Sequence, residues 1–175
     1  MRYNGYMKHL LTLNFASEQH AARNLLYDNQ PYSVHLKAVY AVLEPLFGDN
    51  DVVMQAALCH DLLEDTGITY NDLQTSVGLA VADVVYDVTN ELGKNRKERA
   101  ERTYPKIAAN PLAVIVKVAD RIANTSYSKT SGSSMYGKYC AEFPLFRNAL
   151  YNTKHMEQYP ALGGMWDVLD TISSS

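Results

Sequence analysis

The sequence predicts an all-α fold, one domain of roughly eight to ten helices. Three observations predict it. Apolar residues recur at helical spacing along most of the chain, in runs such as Val52 to Leu63 that hold neither Gly nor Pro. Ser, Thr and Pro stand where several of these runs begin, as N-caps and first-turn residues do. No stretch alternates apolar and polar residues as a half-buried strand would. The chain has 175 residues, which suits a single domain with a sizeable core, and its 47% apolar content is that of an ordinary globular protein.

In order, residues 3 to 14 place Tyr3, Tyr6, Met7, Leu10, Leu11 and Leu13 at near-helical spacing. Ser17 is then positioned to cap a second helix, Glu18 to Tyr27, with His20 and Arg23 on one face. Asp28 to Pro31 reads as a loop, and Pro31 as the start of a helix running to Phe47, with His35 near its beginning. Gly48-Asp49-Asn50 is a turn before the central apolar run. Beyond it, Thr69 and Asp72 have the spacing of a capping box, and Leu79 to Val88 reads as helix although its valines also permit a strand. Lys94 to Arg102 is a charged segment. Most of its side chains read as a solvated face with intrahelical ion pairs, and one or two cations, Lys94 and Arg96 foremost, as holders of substrate phosphate. Pro111 opens the next helix, Ser128 to Ser134 is a Ser/Gly loop, and Met135 to His155 is a long helix that Pro144 should kink or split. A last helix runs from Tyr159-Pro160 to Ile172. No internal repeat or second domain is visible, so residues 1–175 read as one domain, with a motif-bearing core at about 15–130 and C-terminal helices over 135–175.

The stretch that carries chemistry is His60-Asp61-Leu62-Leu63-Glu64-Asp65-Thr66. Continued as helix, it puts His60 and Glu64 on one face and Asp61 and Asp65 on the adjacent one. Three carboxylates so close repel one another unless a cation joins them. His with Asp is a nitrogen and oxygen pair that suits Mn, Fe or Zn. The blander reading is a solvated acidic helix end, but acids at a helix C-terminus oppose its dipole. A second apolar run, Leu112 to Val118, repeats the design by delivering Asp120 and, four residues on, Asn124.

Composition limits the alternatives. A net charge of -3 argues against a general binder of nucleic acid or anionic membrane. The two cysteines make no disulfide framework. Cys59 adjoins His60, and a buried reduced thiol is favoured over a thiolate ligand there. No run of 18 apolar residues is present and Met1 to Phe15 lacks a signal-peptide core, so a cytoplasmic protein is expected. His9, His20 and His155 have no motif around them and read as surface or packing residues. Phe143, Phe146, Leu150 and Trp166 either form a homo-oligomer face or pack on their own core.

Three segments together resemble a known family: Pro31-Tyr32-Ser33-Val34-His35, His60 to Thr66, and Val118 to Asn124. They are similar to motifs of the HD-domain metal-dependent phosphohydrolases, and more narrowly of the hydrolase domain of RelA/SpoT homologues and their small stand-alone relatives. The resemblance covers about residues 15 to 130. It implies an all-helical fold and one divalent metal, usually Mn, with Fe, Zn, Co or Mg as substitutes. His35, His60, Asp61 and Asp120 match the metal ligands. Glu64 and Asp65 match the acid pair of the alarmone hydrolases, which remove pyrophosphate from the 3′ position of guanosine tetraphosphate. Asn124 matches a nucleotide contact. The chain also departs from the pattern. Leu26 stands where the family has Arg, with Arg23 one turn earlier or a stacking Tyr27 as substitutes. Leu36 replaces Pro, and Ser126-Tyr127 replace Arg-Thr. His20 corresponds to the family's His of the preceding helix. These changes fall on the base and ribose wall and leave the metal set whole.

The reading that follows is a small stand-alone alarmone 3′-pyrophosphohydrolase. Its partner is a small nucleotide, with Glu64 as base or proton relay, Asp65 orienting water or a partner cation, and Arg23, Tyr32, Asn124, Tyr127, Lys94 and Arg96 contacting substrate. Two alternatives stay open. One is a phosphatase or pyrophosphohydrolase for another nucleotide, such as a dinucleotide with a 2′-phosphate. The other is a module that binds metal and nucleotide without turnover.

Overall fold

Helices form wherever the apolar spacing asks for them. A computed structural model describes residues 2–174, and strand among them is confined to one ladder of two-residue strands. The chain divides into two compact units, Met1–Thr89 and Asn90–Ser175.

The first unit is built on α1 (Arg2–Ala22), a hairpin of β1 (Leu26–Tyr27) and β2 (Gln30–Pro31), then α2 (Ser33–Phe47), α3 (Asp51–Cys59), α4 (Leu62–Asp65), α5 (Tyr70–Val77) and α6 (Leu79–Val88). Every residue of α3 from Val53 to Cys59 is buried, and the helix packs against α1, α2 and α6. A helix apolar all round belongs in a core, where each large side chain contributes about 1.5–3 kcal/mol. His9 ties α1 to its neighbours, with Nδ1 3.0 Å from the Tyr40 hydroxyl and Nε2 3.2 Å from Asp51 Oδ1. The expected pair of helices before residue 28 is a single helix. Ser17 is not a cap; its hydroxyl donates to the Leu13 carbonyl at 2.6 Å inside α1. The helix ends because Asn24 takes a left-handed φ of 54°. Leu25 N–H reaches the His20 carbonyl at 3.1 Å and Asn24 N–H the Ala21 carbonyl at 2.9 Å, a Schellman closure.

The expected loop at 28–31 is a tight hairpin turn, with Asp28 and Asn29 at φ 49° and 64°. That is the two-residue turn whose twist suits paired strands. Pro31 sits in the ladder opposite Leu26, and α2 starts two residues later than the Pro suggested. The capping box of Thr69 and Asp72 is present, and Gly78, at φ 90°, makes the bend into α6. Leu79–Val88 is helix.

The second unit holds α7 (Arg96–Ala109), α8 (Pro111–Thr130), α9 (Met135–Leu150), α10 (Thr153–Gln158) and α11 (Ala161–Ser173). α8 is its axis and packs against α7, α9 and α11. Asn95 and Asn110 cap α7 and α8, with Pro111 in the first turn as expected. The Ser128 to Ser134 loop is shorter than expected, because α8 continues to Thr130. The charged segment lies in α7 and makes the intrahelical pairs Arg102–Glu98 at 2.5 Å and Lys97–Glu101 at 3.9 Å. Pro144 neither splits nor ends α9. The break comes at Tyr151–Asn152, where Asn152 caps α10. With α3 also cut short, eleven helices are present among the described residues. Phe143, Phe146, Leu150 and Trp166 are buried, so of the two roles open to them they take the core. No helix is long and apolar enough to cross a membrane.

Cys59 is fully buried and burial pushes its thiol up to about 12, whereas Cys140 is half-buried. A disulfide thiol reagent should therefore modify Cys140 in the native protein and reach Cys59 only after denaturation. Prompt reaction of both thiols in the native state would contradict the placement of α3.

Candidate metal centre

In the first unit the chemistry is set by the end of α3. The sequence expected this helix to continue through Leu63, with His60 and Asp61 inside it. Instead α3 stops at Cys59, and His60 and Asp61 form a joint before α4. The His60 ring turns back onto the end of α3. Its Nδ1 lies 2.7 Å from the Ala57 carbonyl oxygen and donates to it, satisfying an end-of-helix carbonyl. That bond fixes the tautomer, so Nε2 presents a lone pair. Helical bonding resumes when Asp65 N–H donates to the Asp61 carbonyl at 2.9 Å.

His35, in the first turn of α2, meets this joint. Its Nε2 is 3.1 Å from His60 Nε2 and 3.5 Å from Asp61 Oδ2, and His60 Nε2 is 3.0 Å from the same oxygen. Both histidines are 2% exposed. Ligand atoms about 2.1 Å from a metal stand about 3.0 Å apart at a right angle and about 3.4 Å apart at the tetrahedral angle. The three separations match one small cation shared by two imidazoles and a carboxylate, so these residues fit a divalent metal.

An aromatic wall backs the three donors. Tyr32, expected at the nucleotide, turns its phenol to the carboxylates: the oxygen lies 2.6 Å from Asp61 Oδ2 and 3.1 Å from Asp65 Oδ2. Burial and the charge of Asp61 push its ionisation far above the ordinary tyrosine range. Its ring stacks on His20 with centroids 4.1 Å apart. Tyr27, offered above as a base-stacking side chain, stacks on His35 at 4.8 Å. Asp65 is held above the usual carboxylate range, first by loss of surrounding water and then by the charge of Asp61. Glu64 is exposed on α4. Arg23 is exposed, and its guanidinium lies so close over Gly67 that a Cβ there would collide with Nη2.

In the second unit Asp120 is 7% exposed on α8. Lys117 Nζ donates to its Oδ2 at 3.1 Å and Asn124 Nδ2 to its Oδ1 at 2.5 Å, the neighbours one turn before and after on the same helix face. One residue on, Arg121 turns to α9, where its Nη1 donates to Glu142 Oε2 at 3.1 Å. Arg96, expected at phosphate, grips the same carboxylate with two bonds of 2.6 and 3.0 Å. The Arg121 guanidinium lies over Tyr139 and Phe146, 5.0 and 4.8 Å from their centroids. Lys94 is exposed, its backbone N–H bonded to Glu98, and Tyr127 is half-buried. Nothing in the sequence marks Glu142, and His20 reads there as a surface or packing residue and as the match to the family's His of the preceding helix.

The chain was compared with known proteins. A family model described as HD domain matches residues 12–138. A zebrafish (Danio rerio) protein named guanosine-3′,5′-bis(diphosphate) 3′-pyrophosphohydrolase MESH1 is 36% identical over 119 residues, 66% of this chain and 66% of that one. An Aquifex aeolicus protein named guanosine-3′,5′-bis(diphosphate) 3′-pyrophosphohydrolase is 35% identical over 116 residues, 63% of this chain but 16% of the relative's length. Among solved structures, that of a metazoan SpoT ortholog that hydrolyzes ppGpp superimposes with a TM-score of 0.72, at 22% identity over 94% of this chain and 93% of the other. A Listeria monocytogenes protein, lmo0812, gives 0.62 at 23% identity over 81% and 99%. At such identities these structures speak for the fold alone.

Glu142 yields a test of the second unit. Burial raises its pKa, but the bonds from Arg96 and Arg121 outweigh this and hold it below the usual carboxylate range. Its contribution to stability is complete above the ordinary glutamate range and is lost as pH falls through the lowered value. Glu142→Gln should cost about 1–3 kcal/mol in urea denaturation at neutral pH. The cost should shrink in acid; one that grew on acidification would refute the ion-pair account.

Proposed function

This chain belongs to the HD-domain family, and we propose that within it the protein is a metal-dependent phosphohydrolase that removes the 3′-pyrophosphate from guanosine tetraphosphate. One divalent metal, Mn by preference, is the proposed cofactor, with the ligand set that the resemblance implies, His35, His60, Asp61 and Asp120. His35, His60 and Asp120 support this as buried residues that each have one nitrogen or oxygen atom to offer. The two units then act as one domain, a reading favoured by a family match that runs through the division at Thr89 and Asn90.

The observation that carries the proposal is the acid pair. Glu64 and Asp65 lie on a four-residue helix directly after the His60–Asp61 joint, and Asp65 is tied to Asp61 through one phenol oxygen. Pure binding needs no acids beyond the ligands, whereas hydrolysis needs a group to take a proton from water. When bound, the metal lowers the pKa of a neighbouring water and offsets charge on phosphoryl oxygens. Glu64, exposed on α4, takes the proton of the attacking water, and Asp65 orients that water. Asn124 braces Asp120 and turns towards the nucleotide, while Arg23, Lys94 and Tyr127 are the proposed contacts of phosphate and base, and Arg96 would have to leave Glu142 to join them. The names of the zebrafish and Aquifex relatives support the substrate.

A second reading has its own support. Leu26, where the resemblance leads one to expect an Arg, is 59% exposed on the hairpin, and Tyr27 beside it has one face on His35. A different nucleotide, such as one with a 2′-phosphate, would suit that apolar rim.

Product analysis decides between them. Purified protein with Mn should release pyrophosphate and GDP from guanosine tetraphosphate, and chelation should stop it. Glu64→Ala should lower the rate by about 10²–10⁴ with Mn affinity nearly intact. Phosphate release only from a 2′-phosphorylated dinucleotide would select the second reading. Silence across a nucleotide panel with Mn still bound would leave a binding module.

A further inference from the structure

We infer that Tyr32 is a positioning residue: braced by the buried ring of His20, its phenol spans Asp61 and Asp65 and sets the ligating carboxylate against the one that orients water. The inference rests on the proposed roles of Asp61 and Asp65.

The phenol oxygen lies within hydrogen-bond distance of both carboxylates, at 2.6 Å from Asp61 Oδ2 and 3.1 Å from Asp65 Oδ2. The Asp61 oxygen it reaches is the same one that faces the Nε2 atoms of His35 and His60. Moving the phenol therefore moves a donor of the metal set and an acid in one step. Partners of this kind orient the ligands of a metal and tune its chemistry.

The ring has little freedom to move. Its plane lies 7° from that of His20, with centroids 4.1 Å apart, and Tyr27 meets it edge-on at 84°. His20 is fully buried, and its Nδ1 donates to the Ala16 carbonyl at 2.8 Å, which fixes the slab on α1. Among the described residues its buried Nε2 has no hydrogen-bond partner. If packing were the whole purpose, an apolar ring would avoid that loss of hydration. The histidine contributes a ring plane pinned by a hydrogen bond, and the stack transmits it to Tyr32. Burial lowers the pKa of His20, so the stacking partner is the neutral imidazole.

Tyr32→Phe keeps the ring and the stack and removes only the hydroxyl. It should lose about 10–100-fold in kcat or in Mn affinity measured by equilibrium dialysis. KM should stay within about twofold, since the phenol faces carboxylates rather than substrate. His20→Ala should fall in the same direction, and His20→Phe, which preserves a stacking ring, should recover most of the loss. If His20→Ala fails to fold, Tyr32→Phe and His20→Phe still decide. Unchanged kcat and Mn affinity in Tyr32→Phe would overturn the inference. So would a rise in KM alone, which would return Tyr32 to the substrate contacts. The dialysis arm needs no substrate. A loss of Mn affinity in Tyr32→Phe, beside a wild type inactive on every nucleotide, would keep the positioning role and reject the proposed activity.

Discussion

The bond from His60 Nδ1 to the Ala57 carbonyl is the constraint on which the first unit's site depends. It pins the His60 ring to the last turn of α3, at a joint where His60 and Asp61 both keep right-handed helical backbone. It also fixes which ring nitrogen carries the proton, so Nε2 faces His35 and Asp61 as a donor of electrons. The acid pair follows on α4, where helical bonding resumes from Asp65 N–H to the Asp61 carbonyl.

The two apolar helices solve the same problem in different ways. Both α3 and α8 are buried along much of their length, and both bring polar side chains to positions that water barely reaches. In such surroundings a polar group is held firmly when its partners are in place and is costly when they are not. α3 delivers its polar residues by stopping. α8 does not stop: it runs on to Thr130, and Asp120 is oriented by Lys117 before it and Asn124 after it, one on each carboxylate oxygen. A regular helix can do this because residues three and four apart share a face. Arg121, one residue on, points elsewhere for the same reason and serves the Glu142 pair in the unit's packing.

Much of this was legible in the sequence. The helices followed from apolar spacing, and the capping box and Pro111 marked two starts correctly. His60 and Asp61 stood out at the end of an apolar run and His35, near a helix start, through the resemblance; the structure brings the three side chains together. What spacing alone could not give was the joint at His60 and Asp61, because both residues keep right-handed helical backbone and no breaker residue marks it. Ser17 misled for a related reason: the hydroxyl that caps a helix end can equally bond inside one. The hairpin carried a signal, Asp-Asn between two short segments, but two-residue strands lie below the length at which alternation can be read. Arg96 was placed by charge, yet its partner Glu142 is 46 positions away, and a pairing over that distance has no local mark. His20 was named in the resemblance, but nothing local shows a stack with a residue across a Schellman closure and a hairpin.

The departures from the family pattern fall on one small piece of structure, and the hairpin explains why they can. Successive residues of a strand face opposite ways. Tyr27 stacks on His35, so its neighbour Leu26 is turned outward, and it is 59% exposed. A side chain at position 26 can therefore change from cation to apolar group without touching His35, His60 or Asp61. Position 27 has no such freedom, since its ring lies on a donor of the metal set. The hairpin thus separates a residue free to vary with the ligand from one bound to the metal chemistry. Under the proposed function, Leu26 would therefore bear on which nucleotide is recognised, and the joint after α3 on whether one is hydrolysed.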